Sequence, residues 1–211
     1  MPPQPAAECA LCPRLCQFRA ENRSRFPGWH NAPVPSFGAL EAPLLIVGLA
    51  PGLRGANATG RPFTGDWAGD LLYGTLLRFG NAHGHYAERA DDGLTLAGCR
   101  ITNAVRCVPP ANRPTPAEIK ACHPYLAAEM AAMPQLKAVL ALGGVAHDAV
   151  LAAVGLKKSA SPFAHGAEHA LPGGARLFDS YHCSRLNTNT GRLTEAMFHA
   201  VFARAKAQAL V

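Results

Sequence analysis

Two polar, glycine-punctuated segments hold the groups best suited to chemistry: GLAPGLRGANATGRPFTGD at 48–66 and YHCSRLNTNTGRLT at 181–194. Each follows a short apolar run. Open α/β sheets build ligand sites where such runs end in polar loops, so the two segments are expected to meet over one ligand. In the first, Gly48, Gly52, Gly55, Gly60 and Gly65 let the backbone approach a flat or charged ligand, and free amides there can receive anionic oxygens. The Lys and Ser/Thr of a P-loop are absent, as is the GxGxxG spacing, which disfavours nucleoside-triphosphate and dinucleotide chemistry. Phe63 lies among Gly60, Arg61, Pro62 and Gly65 and reads either as core or as a stacking platform for a planar base. In the second segment His182 can donate a hydrogen bond. Its neighbour Cys183 points the opposite way along an extended chain and reads as packing rather than as a nucleophile.

Cysteine supplies the other chemistry. The chain has 7 cysteines, of which Cys9 and Cys12 form a CxxC pair and Cys107 and Cys122 have 14 residues between them. Four thiolates converge if the N-terminal arm packs beside the helix that carries Cys122. Zinc and iron–sulfur clusters both take four cysteines, and unrelated buried thiols are the third reading; spacing does not choose. Cys16, Cys99 and Cys183 are spare on this count.

The elements that must position these groups alternate between strand and helix. Strands are expected at 43–49, within 94–104, at 138–142 and at 175–181. Helices are expected from Asp66 as N-cap to Gly80, from the Thr115–Glu118 capping box to a stop before Pro134, over 144–154, and from Thr194 with Met197, Phe198, Val201, Phe202 and Ala205 on one stripe. The expected fold is α/β, a three-layer α/β/α sandwich with a central four-stranded parallel sheet. Asn103 falls at the carboxyl end of the second strand.

Over 211 residues this pattern predicts one domain, 1–211, with an N-terminal arm of about 1–42. The net charge of +6 suits a polyanionic partner, but the basic residues are scattered rather than run together. No secretory signal or membrane span is expected, which predicts a cytoplasmic protein with no membrane partner.

The two loops, together with CPRL at 12–15, TNAVRC at 102–107 and ALG at 141–143, resemble the iron–sulfur branch of the uracil-DNA glycosylase superfamily, and most closely its family 5. The resemblance runs from about Cys9 to the final helix. It implies a monofunctional DNA-repair glycosylase that flips and excises uracil, leaving an abasic site, and that tolerates hypoxanthine and ethenocytosine. It implies a 4Fe-4S cluster on Cys9, Cys12, Cys107 and Cys122. Cys16 is excluded, because relatives have an aliphatic residue there. Double-stranded or single-stranded DNA, a monomeric enzyme and the bacterial cytosol and nucleoid complete the expectation.

Carried across by residue, the resemblance gives Phe63 stacking on the flipped base, Asn103 hydrogen-bonding its pairing edge and His182 donating toward a carbonyl oxygen. Gly48, Ala50 and Gly52 line the pocket. Ala50 stands where the best-known relatives carry an aspartate that steers the attacking water, which leaves Asn57 and Asp66 as candidates for that task; Asn57 joins His182 and Asn103 in the expected catalytic set, while Asp66 reads first as an N-cap. Ser184, Arg185, Asn187 and Arg192 are placed to touch DNA, with Arg185–Leu186 as a wedge. His165 also resembles a family 5 segment. Neither loop carries a lysine for a Schiff base, which excludes a coupled lyase. Two rivals stand beside this reading: a family 4 enzyme restricted to uracil, against which Leu49 speaks, and a non-catalytic damaged-DNA-binding module.

Overall fold

A computed structural model describes residues 2–211. Its centre is the strand β1 (Leu44–Gly48), buried along its whole length. Because side chains alternate across a strand, Leu44 and Ile46 face one side of the sheet while Leu45 and Val47 face the other. Both faces must therefore be covered. The helices α3 (Trp67–Arg78) and α7 (Glu195–Ala209) cover one with Leu72, Tyr73, Leu76, Phe198, Val201 and Phe202. The helices α4 (Pro116–Ala131) and α5 (Gly144–Ala153) cover the other with Leu126, Met130, Val150 and Leu151.

With β4 (Cys99–Asn103), β5 (Ala138–Leu142), β6 (Glu168–Ala170) and β7 (Arg176–Ser180), the sheet runs in the order β4-β1-β5-β7-β6. The first four strands are parallel, as the alternating pattern requires. The expected count of four is corrected to five, since β6 adds an antiparallel edge. Three residues, Glu-His-Ala, carry no periodic signal; β7 and a buried polar stitch hold them. His147 of α5 meets Asp179 of β7 at 2.8 Å, His169 of β6 meets the other Asp179 oxygen at 3.1 Å, and His147 Nε2 lies 2.8 Å from the Ser161 carbonyl.

Two further differences follow from local chemistry. The strand expected within 94–104 is divided by a turn at Gly98 (φ +64°): Thr95–Leu96 forms β3, paired with β2 (Ala82–His83), and only Cys99–Asn103 joins the main sheet. The N-terminal arm contains a helix, α1 (Pro13–Arg25), that apolar periodicity does not reveal because it buries Leu15, Arg19 and Asn22. Two short helices complete the chain, α2 (Ala56–Thr59) and α6 (Arg185–Asn189). No helix among the described residues is long and apolar enough to cross a membrane.

The expected caps are present. Asp66 accepts from the Gly69 amide, Thr115 and Glu118 form the capping box, and Thr194 accepts from the Met197 amide. One ion cluster joins the sheet to the layer of α4 and the arm: Glu129 of α4 accepts from Arg100 at 2.6 Å, from Thr102 at 2.9 Å and from Arg106 at 2.5 Å, and Arg106 in turn donates to Ser36 at 2.8 Å. Burial raises the Glu129 carboxyl, but Arg106 and Arg100 more than offset it and hold the group below the usual carboxylate range. Its stabilising contribution is thus present above the unfolded-state value of 4.5 and is lost as pH falls through the lower folded value. Glu129→Ala leaves two guanidinium groups unpaired near the sheet and should cost about 3–5 kcal/mol in urea unfolding; a loss below about 1 kcal/mol would show that the cluster is dispensable.

Candidate active site

The two loops meet. At the carboxyl ends of β1, β4 and β7 they enclose a hollow of about 430 Å³, lined by Leu49, Ala50, Gly52, Phe63 and Asp66 of the first loop, Trp67 and Ala68 at the start of α3, His182, Ser184 and Arg185 of the second loop, and Asn103 and Asn112 from the segment that leaves β4. Sequence pairing of Gly48 with Asn103 across β1 and β4 sets its floor. A Cβ at Gly48 would lie 2.4 Å from both Asn103 Oδ1 and Phe63 Cζ, so ring and amide close over a position that tolerates no side chain.

Phe63 is held in the left-handed region at φ +58°, a costly backbone for a bulky residue. The surroundings over-determine it. Tyr73 donates to the Pro62 carbonyl at 2.6 Å, Tyr86 donates to the Phe63 carbonyl at 3.3 Å, and Arg61 is locked to Asp92 by a two-pronged pair at 2.7 and 2.8 Å. Gly69 is needed too, since a Cβ there would fall 1.8 Å from the Phe63 oxygen. The result is a ring that faces the hollow 6.1 Å from the His182 imidazole.

Asn103 is 2% exposed, and its Oδ1 has no hydrogen-bond partner. A buried acceptor left unpaired is costly, so this amide is set up for a ligand. His182 is half-buried; its carbonyl accepts from Asn187 Nδ2 at 2.8 Å, which fixes the backbone beneath the ring. Burial pushes its pKa down to about 4, so the imidazole that faces the hollow is neutral near pH 7.

Asn57 does not join this set. It is buried away from the hollow, with its amide donating to Asn31 of the arm at 2.9 Å. Asp66 faces the hollow instead: Oδ1 caps α3 through the Gly69 amide at 3.1 Å, while Oδ2 lies over Gly52 and Gly55, where a Cβ would sit 3.0 and 2.7 Å from it. Burial raises its carboxyl. Asn112 was not expected. It follows Ala111, and both sit in the left-handed region (φ +54° and +53°), a turn that the Pro-Pro-Ala-Asn run after Cys107 signals only in general terms.

Of the remaining candidates, Ser184 caps α6 and Arg185 borders the hollow, whereas Asn187 is spent on the His182 carbonyl. The Arg192 guanidinium lies 4.5 Å over the Tyr181 ring. His165 accepts from the Tyr181 amide at 3.1 Å and stacks on the Tyr181 ring, and neither lines the hollow. Cys183 is buried in the core.

Cys9, Cys12, Cys107 and Cys122 border a second, much tighter gap of about 20 Å³, together with Leu15, Cys16, Arg19 and Tyr125. The arm, the segment after β4 and α4 thus meet there. Among the described residues no three of these thiols lie within 4.8 Å of one another. Cys16 bends to donate to the Cys9 carbonyl at 3.2 Å, and Arg19 donates to that same carbonyl at 2.9 Å and to Cys107 Sγ at 3.5 Å.

Residues 35–206 match the model of the uracil DNA glycosylase superfamily. The chain belongs to that superfamily. It is 48% identical over 209 residues to the Type-5 uracil-DNA glycosylase of Thermus thermophilus, covering 96% of this chain and 94% of that one. A Type-5 uracil-DNA glycosylase of Pyrobaculum aerophilum is 42% identical over 205 residues, covering 95% of this chain and 89% of its own. The Type-4 uracil-DNA glycosylase of the same organism is 36% identical over 123 residues, only 58% of this chain and 55% of its own. Within the superfamily, then, likeness to the type-5 relatives extends over both loops and the cysteine arm.

For this superfamily member, an NMR titration of the His182 ring should show a midpoint near 4 and no change of charge between about pH 8 and about pH 6. Because the folded value is depressed, the stability that His182 contributes is present above the unfolded value of 6.5 and is lost as pH falls toward 4. A midpoint near 6.5 would mean that the ring is solvated rather than buried at the hollow.

Proposed function

We propose that this protein is a monofunctional uracil-DNA glycosylase of DNA repair, which takes a uracil turned out of DNA into the hollow between Phe63 and His182 and leaves an abasic site. The observation that carries the reading is the buried, unpartnered Oδ1 of Asn103 beside the Phe63 ring. Uracil presents an N–H donor next to a carbonyl acceptor, and a side-chain amide answers both, with Oδ1 accepting and Nδ2 donating. Cytosine reverses that pattern, so the same amide rejects it. Phe63 supplies the stacking face, and the backbone of Gly48, Ala50 and Gly52 allows close approach.

Cleavage of the glycosidic bond leaves an oxocarbenium-like sugar and an anionic base. The neutral His182 donates a hydrogen bond to a base carbonyl oxygen where that negative charge develops. Asp66 takes over the place first assigned to Asn57: it is the carboxylate on the hollow, able to offset the sugar's positive charge and, with Asn112, to hold the attacking water. Departure of the base, rather than water activation at residue 50, is the main source of rate. No lysine borders the hollow, in keeping with hydrolysis and not a lyase. The small Ala50 wall supports tolerance of hypoxanthine and ethenocytosine.

Ser184 and Arg192 contact phosphates of double-stranded DNA, Arg185 and Leu186 enter the duplex as a wedge, and Asn187 holds their loop in place. Cys9, Cys12, Cys107 and Cys122 carry a 4Fe-4S cluster, which when bound ties the arm of residues 1–42 to the body and makes 1–211 one unit. Support comes from four thiols of the arm, the segment after β4 and α4 bordering one gap. Burial pushes the Cys107 thiol up to about 12 and the Cys12 thiol to about 11, so thiolates there require a cationic partner. The enzyme acts as a monomer in the cytoplasm.

Alkali-labile abasic sites should form on double-stranded DNA that contains uracil. His182→Ala should lower the single-turnover rate by about 100- to 1,000-fold, comparable to loss of one transition-state donor, whereas Asn57→Ala should leave it within about threefold. The reverse ranking would contradict catalysis by base departure, and affinity without abasic-site formation would make the protein a binding module. The purified protein should be brown with iron and sulfide bound; a colourless, zinc-loaded protein would overturn the cluster.

A further inference from the structure

Trp67 is the first residue of α3 and is 49% exposed, although tryptophan is among the most buried residues on average. Its Nε1–H donates to Thr188 Oγ1 of α6 at 2.8 Å, and the Arg185 guanidinium lies over the indole at 5.4 Å. Between Arg185 and Thr188, Leu186 stands 73% exposed. The helix that carries them has five residues and buries none of them. So short a helix has no stability of its own. Its other side-chain tie is Asn187 to the His182 carbonyl, so Trp67 is the strut that connects it to the first loop, one residue beyond Asp66.

We infer that Trp67 is a positioning residue that braces α6, holding Leu186 and Arg185 where they enter DNA beside the vacated nucleotide. The inference rests on the glycosylase reading above. Trp67 stands on the border of the hollow, next to Asp66; its role here is not to hold the base but to keep the wedge rigid while the duplex resists opening. Its importance therefore scales with the cost of turning the base out, which is large for a paired uracil and small for one that faces a gap or lies in a single strand. Trp67→Phe keeps a ring beneath Arg185 but loses the N–H bond, whereas Trp67→Ala loses both.

Single-turnover excision should be compared on one sequence with uracil paired to adenine and with uracil opposite an abasic gap. For Trp67→Ala, the paired substrate should slow by about tenfold or more while the unpaired one stays within about twofold, with Trp67→Phe between wild type and Trp67→Ala on the paired substrate. The thermal midpoint should shift little, because the indole is half exposed. Equal slowing on both substrates, or slowing on neither, would overturn the brace while leaving the glycosylase reading intact. A wild type that excises uracil from neither substrate would overturn that reading and the brace with it.

Discussion

Position 48 admits no side chain, and the site is built around that vacancy. Gly48 ends the central strand in register with Asn103, and the space a Cβ would fill is shared by the Asn103 amide and the edge of the Phe63 ring. The strand pairing alone would bring an apolar side chain here. Its absence lets a strained turn fold back over the sheet, which in turn requires Gly69 under the Phe63 carbonyl and the Arg61–Asp92 pair, Tyr73 and Tyr86 around it. Backbone strain of this kind survives only where neighbours over-determine it. A polar amide, an aromatic face and a neutral imidazole then face one another across a hollow, and none of the three depends on a flexible loop tip for its place.

The second dependency runs through Glu129. Parallel sheets put their polar ends at one edge, and β4 leaves the sheet carrying Arg106 inward and Cys107 toward the arm. Without a buried carboxylate to receive Arg100 and Arg106, the segment that bears both Asn103 and Cys107 would have no fixed course. The hollow beside Asn103 and the cysteine gap beside Cys107 thus lie along one strand exit. The arm that reaches the cysteines also, through Asn31 and Asn57, backs the first loop.

Much of this could be read from the chain because the governing signals are local. Fully apolar five-residue runs marked β1 and β5, and Asp66, Thr115 and Thr194 marked helix starts by their own hydrogen bonds. The features that escaped depend on distant partners. The edge strand at 168–170 exists because Asp179 and His147 hold His169. The arm's helix buries Arg19 and Asn22 rather than an apolar stripe. Asn57 and Asp66 both lie in the first loop, and only the fold decides that one turns to Asn31 and the other to the hollow. Asn112 and Trp67 come from segments whose sequence carries turn and helix information but nothing about which way a side chain faces.

Electrostatics divides the labour. Burial keeps His182 neutral, so it can only donate or accept a hydrogen bond, and the one carboxylate on the hollow sits at the N-terminus of α3, anchored by a backbone amide. Such an arrangement favours stabilising the departing base over generating a strong nucleophile. The central claim is that Asn103 and Phe63 receive an extrahelical uracil. Its most direct test is a crystal structure with duplex DNA carrying a fluorinated, non-cleavable deoxyuridine. The account predicts the uracil ring against Phe63 with its N–H and adjacent carbonyl paired to the Asn103 amide. A base still stacked in the duplex, or bound with that edge turned away from Asn103, would contradict it.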